Sequence, residues 1–67
     1  MEIKVNGKPM RLDSVRTVAE LLALRNLKPS LVAVEQNGSI VPRTEFGQRV
    51  LTEGDALEIV HFVGGGD

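Results

Sequence analysis

The first residues alternate. Ile3 and Val5 are apolar while Glu2 and Lys4 are polar, which predicts a strand with one buried face. Asn6-Gly7 follows. Both central residues of a type I′ turn need positive φ, so this pair predicts a tight hairpin. The two-residue turn sets Val5 opposite Lys8, Ile3 opposite Met10 and Met1 opposite Leu12. Met10 and Leu12 then share the apolar face. Pro9 falls where its missing N–H points away from the first strand, so the return strand is expected at a sheet edge.

The period then changes. Thr17-Val18-Ala19-Glu20 has the form of a capping box, in which the Thr hydroxyl and the Glu carboxylate each take an amide of the first turn. Val18, Leu21, Leu22 and the stem of Arg25 fall on one helical face, with Leu24 expected to reach the same core from its edge. Asn26 is the expected C-cap, and Pro29 blocks continuation. Leu31 to Glu35 is β-branched and strand-like. Asn37-Gly38 predicts a second hairpin, returning through Ser39, Ile40 and Val41 to Pro42. Residues 43–49 are irregular, with Phe46 pinning them to the core, and Val50-Leu51 reads as a very short strand. Glu53-Gly54-Asp55 is a turn before a last strand from Ala56 to Val63. Leu57 and Ile59 are expected to face the helix, which leaves Glu58, Val60 and Phe62 on the opposite face.

Hairpin, helix, strand, return, short strand and final strand describe a two-layer α+β domain with one helix packed on one face of a small mixed sheet. The ubiquitin-like β-grasp fits this order. In it the final strand lies mid-sheet and parallel to the first, and the return strand of the first hairpin lies at an edge, in agreement with Pro9. Residues 1–63 form the expected domain, and residues 64–67 a flexible glycine-rich tail.

Composition narrows the chemistry. A chain of 67 residues supports one domain with a small core. With two Phe and no Trp or Tyr, that core must be aliphatic. Cysteine is absent, which excludes a disulfide scaffold, a thiolate metal site and a cysteine nucleophile. His61 is the single histidine, too few for a zinc site, and no metal is expected. A net charge of −1 with mixed signs offers no phosphate-binding surface, so nucleic acid is not an expected partner. No apolar run is long enough to span a bilayer, and the start does not read as a signal peptide. The expectation is a cytoplasmic protein, monomeric when free.

The chemistry-bearing feature is the run Gly64-Gly65-Gly66 before Asp67. Three glycines resist ordering, so disorder is expected from Gly64 onward. Such a run suits entry into a narrow channel. Val60, Phe62 and Val63 are the candidate partner-binding residues beside it. No nucleophile with a base, phosphate loop or metal set is present, so no catalytic residue and no bound cofactor are expected. Arg43 and the scattered acids read as solvated surface rather than docking charges.

The stretches Val34 to Arg43, Glu53-Gly54-Asp55 and Leu57 to Gly66 resemble the ThiS family of thiamine-biosynthesis sulfur carriers, and the resemblance covers essentially the whole chain. It implies a protein cosubstrate rather than an enzyme. A ThiF-like adenylyltransferase, using ATP, would activate a C-terminal glycyl carboxylate. Sulfur would then displace AMP, and a ThiG-like thiazole synthase would consume the thiocarboxylate. The thiocarboxylate site carried over is Gly66, with Gly64 and Gly65 as the tail. Asp67 departs from the pattern. Its β-carboxylate could attack an activated α-acyl group and close an anhydride, so removal of Asp67 by a C-terminal peptidase is expected. Other readings stay open from the residues alone. They are a carrier for molybdopterin, cysteine or tRNA thiolation, a ubiquitin-like modifier, and an interaction module.

Overall fold

In the computed structural model, residues 1–62 are described. Strand β1 (Glu2–Val5) buries Ile3 and Val5. At the first turn Asn6 has φ 52° and Gly7 φ 82°, the pair of left-handed residues that a type I′ turn requires. Strand β2 (Lys8–Arg11) returns in the expected register, with Ile3 opposite Met10 and Val5 opposite Lys8. Met1 and Leu12 extend the ladder by exchanging two 2.8 Å hydrogen bonds.

Helix α1 (Val18–Leu24) is capped as the sequence predicts. Glu20 N donates to Thr17 Oγ1 at 3.2 Å, and Glu20 Oε1 accepts from Thr17 N at 3.2 Å and Arg16 N at 2.6 Å. Its C-terminus differs from the expectation. Arg25 is the C-cap, and Asn26 sits one residue further on with φ 59°. Leu27 N donates to Leu22 O and Asn26 N to Ala23 O, a Schellman motif with Asn in the left-handed position. The helix thus stops before Pro29 acts, and Pro29 instead opens a 3₁₀ turn, Pro29–Leu31. Leu24 does not reach the core and is 54% exposed. It lies about 100° around the helix from the centre of the buried stripe, and the helix ends there. Arg25 is exposed as well, its Nη1 lying 3.8 Å from the sulfur of half-buried Met10.

Strands β3 (Val32–Gln36) and β4 (Ser39–Ile40) form the second hairpin, with Asn37 at φ 53° and Gly38 at φ 85°. A 3₁₀ turn, Arg43–Glu45, then delivers Phe46 to the core, where it is 4% exposed. Arg43 reaches back, its Nε donating to Pro29 O at 2.9 Å, and so ties this turn to the other. Val50-Leu51 does not form a strand. A single bridge joins Thr17 to Val50, because the chain on the Thr17 side turns at once into the helix. Leu51 is buried and Val50 exposed.

Strand β5 (Ala56–His61) completes a five-stranded sheet of order β2-β1-β5-β3-β4. It runs parallel to β1 and antiparallel to β3. The helix covers one face, and the core joins Ile3, Val18, Leu21, Leu22, Val34, Phe46 and Leu57 among its thirteen buried apolar residues. This is the ubiquitin-like β-grasp, with the final strand central and Pro9 on an edge. The strand expected to reach Val63 ends at His61, although Phe62 N still donates to Leu31 O at 2.8 Å. Val63 lies outside the described residues.

Candidate functional site

β5 lies in the middle of the sheet and precedes the glycine run in sequence. Two turn asparagines hold this strand in place. Asn6 sits where β1 turns away, and its side chain continues the ladder: Ile59 N donates to Asn6 Oδ1 at 2.7 Å, and Asn6 Nδ2 donates to Ile59 O at 3.2 Å. Asn37 holds the other end of β5, its Oδ1 accepting from Ala56 N at 2.9 Å. Its Nδ2 donates to Asp55 Oδ1, also at 2.9 Å.

Asp55 is the one buried charged residue among those described, at 5% exposure. Its carboxylate accepts from Asn37 Nδ2, Gln36 Nε2, Thr52 N and Thr52 Oγ1, all between 2.8 and 2.9 Å. Burial pushes the carboxyl up, but the hydrogen bonds from Asn37, Thr52 and Gln36 together outweigh it and hold the group below its ordinary value of 3.8. This is a structural latch joining the second hairpin to the start of β5. In the sequence Asn6 and Asn37 are legible only as positive-φ residues and Asp55 only as part of a turn. The spacing Thr52-x-x-Asp55 was the available signal, since Asp and Thr at such a spacing bond each other's backbone locally.

The sheet face opposite the helix is open. Val60 is 57% exposed, Phe62 50% and Ile40 70%. Leu57 and Ile59 point into the core, as the alternation requires. Between the strands lies a shallow hollow of about 400 Å³ lined by Ala33, Val34, Glu35, Ile40, Glu58 and Val60. Glu58 lies on this face as the alternation of β5 predicts, whereas Ile40 and Glu35 are members of it that the sequence alone does not single out. Ile40 needed the β3–β4 register, in which it stands opposite Glu35.

The candidate partner-binding residues Val60 and Phe62 therefore share an exposed apolar surface. Val63 and the tail candidates Gly64, Gly65 and Gly66, with Asp67, lie outside the described residues. His61 is exposed. Among the described residues no group of three metal-ligating side chains comes together, and no helix is long and apolar enough to cross a membrane.

Fold and face together define a ubiquitin-like domain whose last described strand is central in the sheet and whose open sheet face carries exposed apolar residues. Comparison with known proteins makes the class specific. The ThiS family model matches residues 3–66. The sulfur carrier protein ThiS of Bacillus subtilis is 37% identical over 65 residues, covering 96% of this chain and 98% of that protein. A thiazole synthase of Magnetococcus marinus is 42% identical over 66 residues, which cover 98% of this chain and 20% of that protein. A thiazole synthase of Paramagnetospirillum magneticum, at 39% identity, is likewise matched over 20% of its length. The crystal structure of the thiamine biosynthesis protein ThiS from Geobacter metallireducens superposes with a TM-score of 0.81 at 40% identity, covering 98% of this chain and all of that one. The chain belongs to the ThiS family.

Proposed function

We propose that this protein carries sulfur for the thiazole of thiamine as a thiocarboxylate on Gly66. The observation that supports this most strongly is the match along nearly the whole length of the Bacillus sulfur carrier. Cysteine is absent, so no side-chain thiol can hold the sulfur as a persulfide, whereas a main-chain carboxyl can.

The chemistry begins with exposure of the Gly66 carboxylate. Asp67 follows Gly66 in the chain, so the peptide bond between them must first be hydrolysed. An adenylyltransferase then binds the domain and ATP. A carboxylate oxygen attacks the α-phosphorus, pyrophosphate leaves, and a glycyl adenylate forms. A sulfur nucleophile of the hydrosulfide oxidation level displaces AMP and leaves the thiocarboxylate. Glycine suits this position because no side chain crowds the carbonyl, and in-line attack depends on positioning. The domain itself supplies no acid, base or metal. It is the substrate of its partners, and ATP belongs to the activating enzyme.

The thiazole synthases that contain a segment similar to this chain support thiazole synthase as the sulfur acceptor. The reading is tested by ATP–pyrophosphate exchange with purified adenylyltransferase. The chain ending at Gly66 should drive exchange, and conversion of the terminal carboxylate to an amide should abolish it. Exchange that persists with the amide would remove the α-carboxylate from the reaction.

A further inference from the structure

The outer sheet face carries a conflict that the isolated domain does not resolve. Glu35 and Glu58 stand directly opposite each other on β3 and β5. Both are exposed and both line the hollow described above. Phe62 N donates to Leu31 O, four residue pairs along the same ladder from Glu35–Glu58, and since hydrogen-bonded pairs alternate, Glu35–Glu58 is a hydrogen-bonded pair as well. Cα atoms of such pairs lie about 5.5 Å apart, with side chains side by side. Like charges so placed destabilise a sheet. The register puts Lys4 opposite Ala56, a diagonal step from Glu58. The one ion pair among the described residues joins Arg49 to Glu45, elsewhere in the molecule. Around the acids the face is apolar, through Ile40 on one side and Val60 and Phe62 on the other.

We infer that this face seats a partner surface bearing an arginine, whose guanidinium lies between Glu35 and Glu58 while apolar side chains around it cover Ile40, Val60 and Phe62. Charge complementarity selects a cation. A planar guanidinium has donors enough for two adjacent carboxylates, and its weak hydration suits a hollow with apolar walls better than a lysine ammonium does. The face adjoins the strand that precedes the glycine run, and thiazole synthases are known that contain a segment similar to this chain. The inference rests on the sulfur-carrier reading and assigns this surface to thiazole synthase. The acid pair costs stability in the free domain and is relieved in the complex.

The experiment is a calorimetric titration of purified thiazole synthase from the same organism with the full 67-residue chain. The unaltered chain is compared with the Glu35→Gln/Glu58→Gln double variant at low and at high salt. The variant should bind about tenfold more weakly at low salt, and its affinity should vary less with salt. Alone, it should melt at a higher temperature than the unaltered chain. Equal affinities with equal salt dependence would overturn the inference, as would failure of the unaltered chain to bind. A lowered melting temperature would also overturn it, because the acids would then be satisfied within the domain. The sulfur-carrier reading fails separately, through absence of thiocarboxylate on the chain, whatever the titration gives.

Discussion

Asp55 shows how a small domain fixes a strand without a large core. The group takes four hydrogen bonds from three side chains and one amide, and two of the donors, Gln36 and Asn37, belong to the neighbouring hairpin. Because the folded carboxyl is held below its ordinary value, it stabilises the fold above the unfolded pKa of about 3.9. That contribution disappears as pH falls through the lower folded value. Urea denaturation should therefore show a stability loss below about pH 4 that is smaller in Asp55→Asn. At neutral pH the same substitution should cost about 2–3 kcal/mol, since it turns an acceptor into a donor facing donors. Asn6 permits a finer test, because its φ of 52° and its two bonds to Ile59 are separable. Asn6→Gly keeps the backbone conformation and loses the bonds, at about 1–2 kcal/mol. Asn6→Ala adds the left-handed strain, about 1 kcal/mol more. Equal losses for the two variants would show that the turn carries no strain.

At the scale of elements, the hairpins, their register and the edge position of β2 were legible, because Asn-Gly turns and alternation are local signals. The helix start was legible for the same reason, through Thr17 and Glu20. The helix end was not. Asn26 was recognised as a stop, but its place one residue past the cap depends on the bond from Leu27 N to Leu22 O. Leu24 shows the limit of periodicity, since an apolar residue at the margin of a stripe is buried only if the partner layer extends that far. The latch around Asp55 and the opposition of Glu35 and Glu58 depend on pairing between segments far apart in sequence, which no local pattern encodes. The alternation within β5 was legible and has a consequence. Phe62 is half exposed at the end of the strand, so Phe62→Ser should change stability by less than about 1 kcal/mol, as surface substitutions do. It should still weaken docking to thiazole synthase, the partner inferred to cover Phe62. Circular dichroism melts alongside binding isotherms measure both, and an unfolded variant would place Phe62 in the core.

As a whole, the molecule fits a division of labour in which the folded domain is recognised and the proposed chemistry takes place at Gly66. The β-grasp supplies a central strand clamped by Asn6, Asn37 and the Asp55 latch, beside an apolar face with a hollow at its centre. The chemistry assigned to Gly66 needs nothing further from the domain than recognition and delivery. The most direct test is intact-mass spectrometry of the chain ending at Gly66, and of the chain retaining Asp67, after incubation with adenylyltransferase, ATP and sulfide. The chain ending at Gly66 should exchange one oxygen for sulfur. The chain retaining Asp67 should consume ATP slowly, or without accumulating thiocarboxylate, because the Asp67 side chain can intercept the activated acyl group. Stable thiocarboxylate on both forms would contradict the role given to cleavage after Gly66, and no sulfur on either would contradict the carrier function itself.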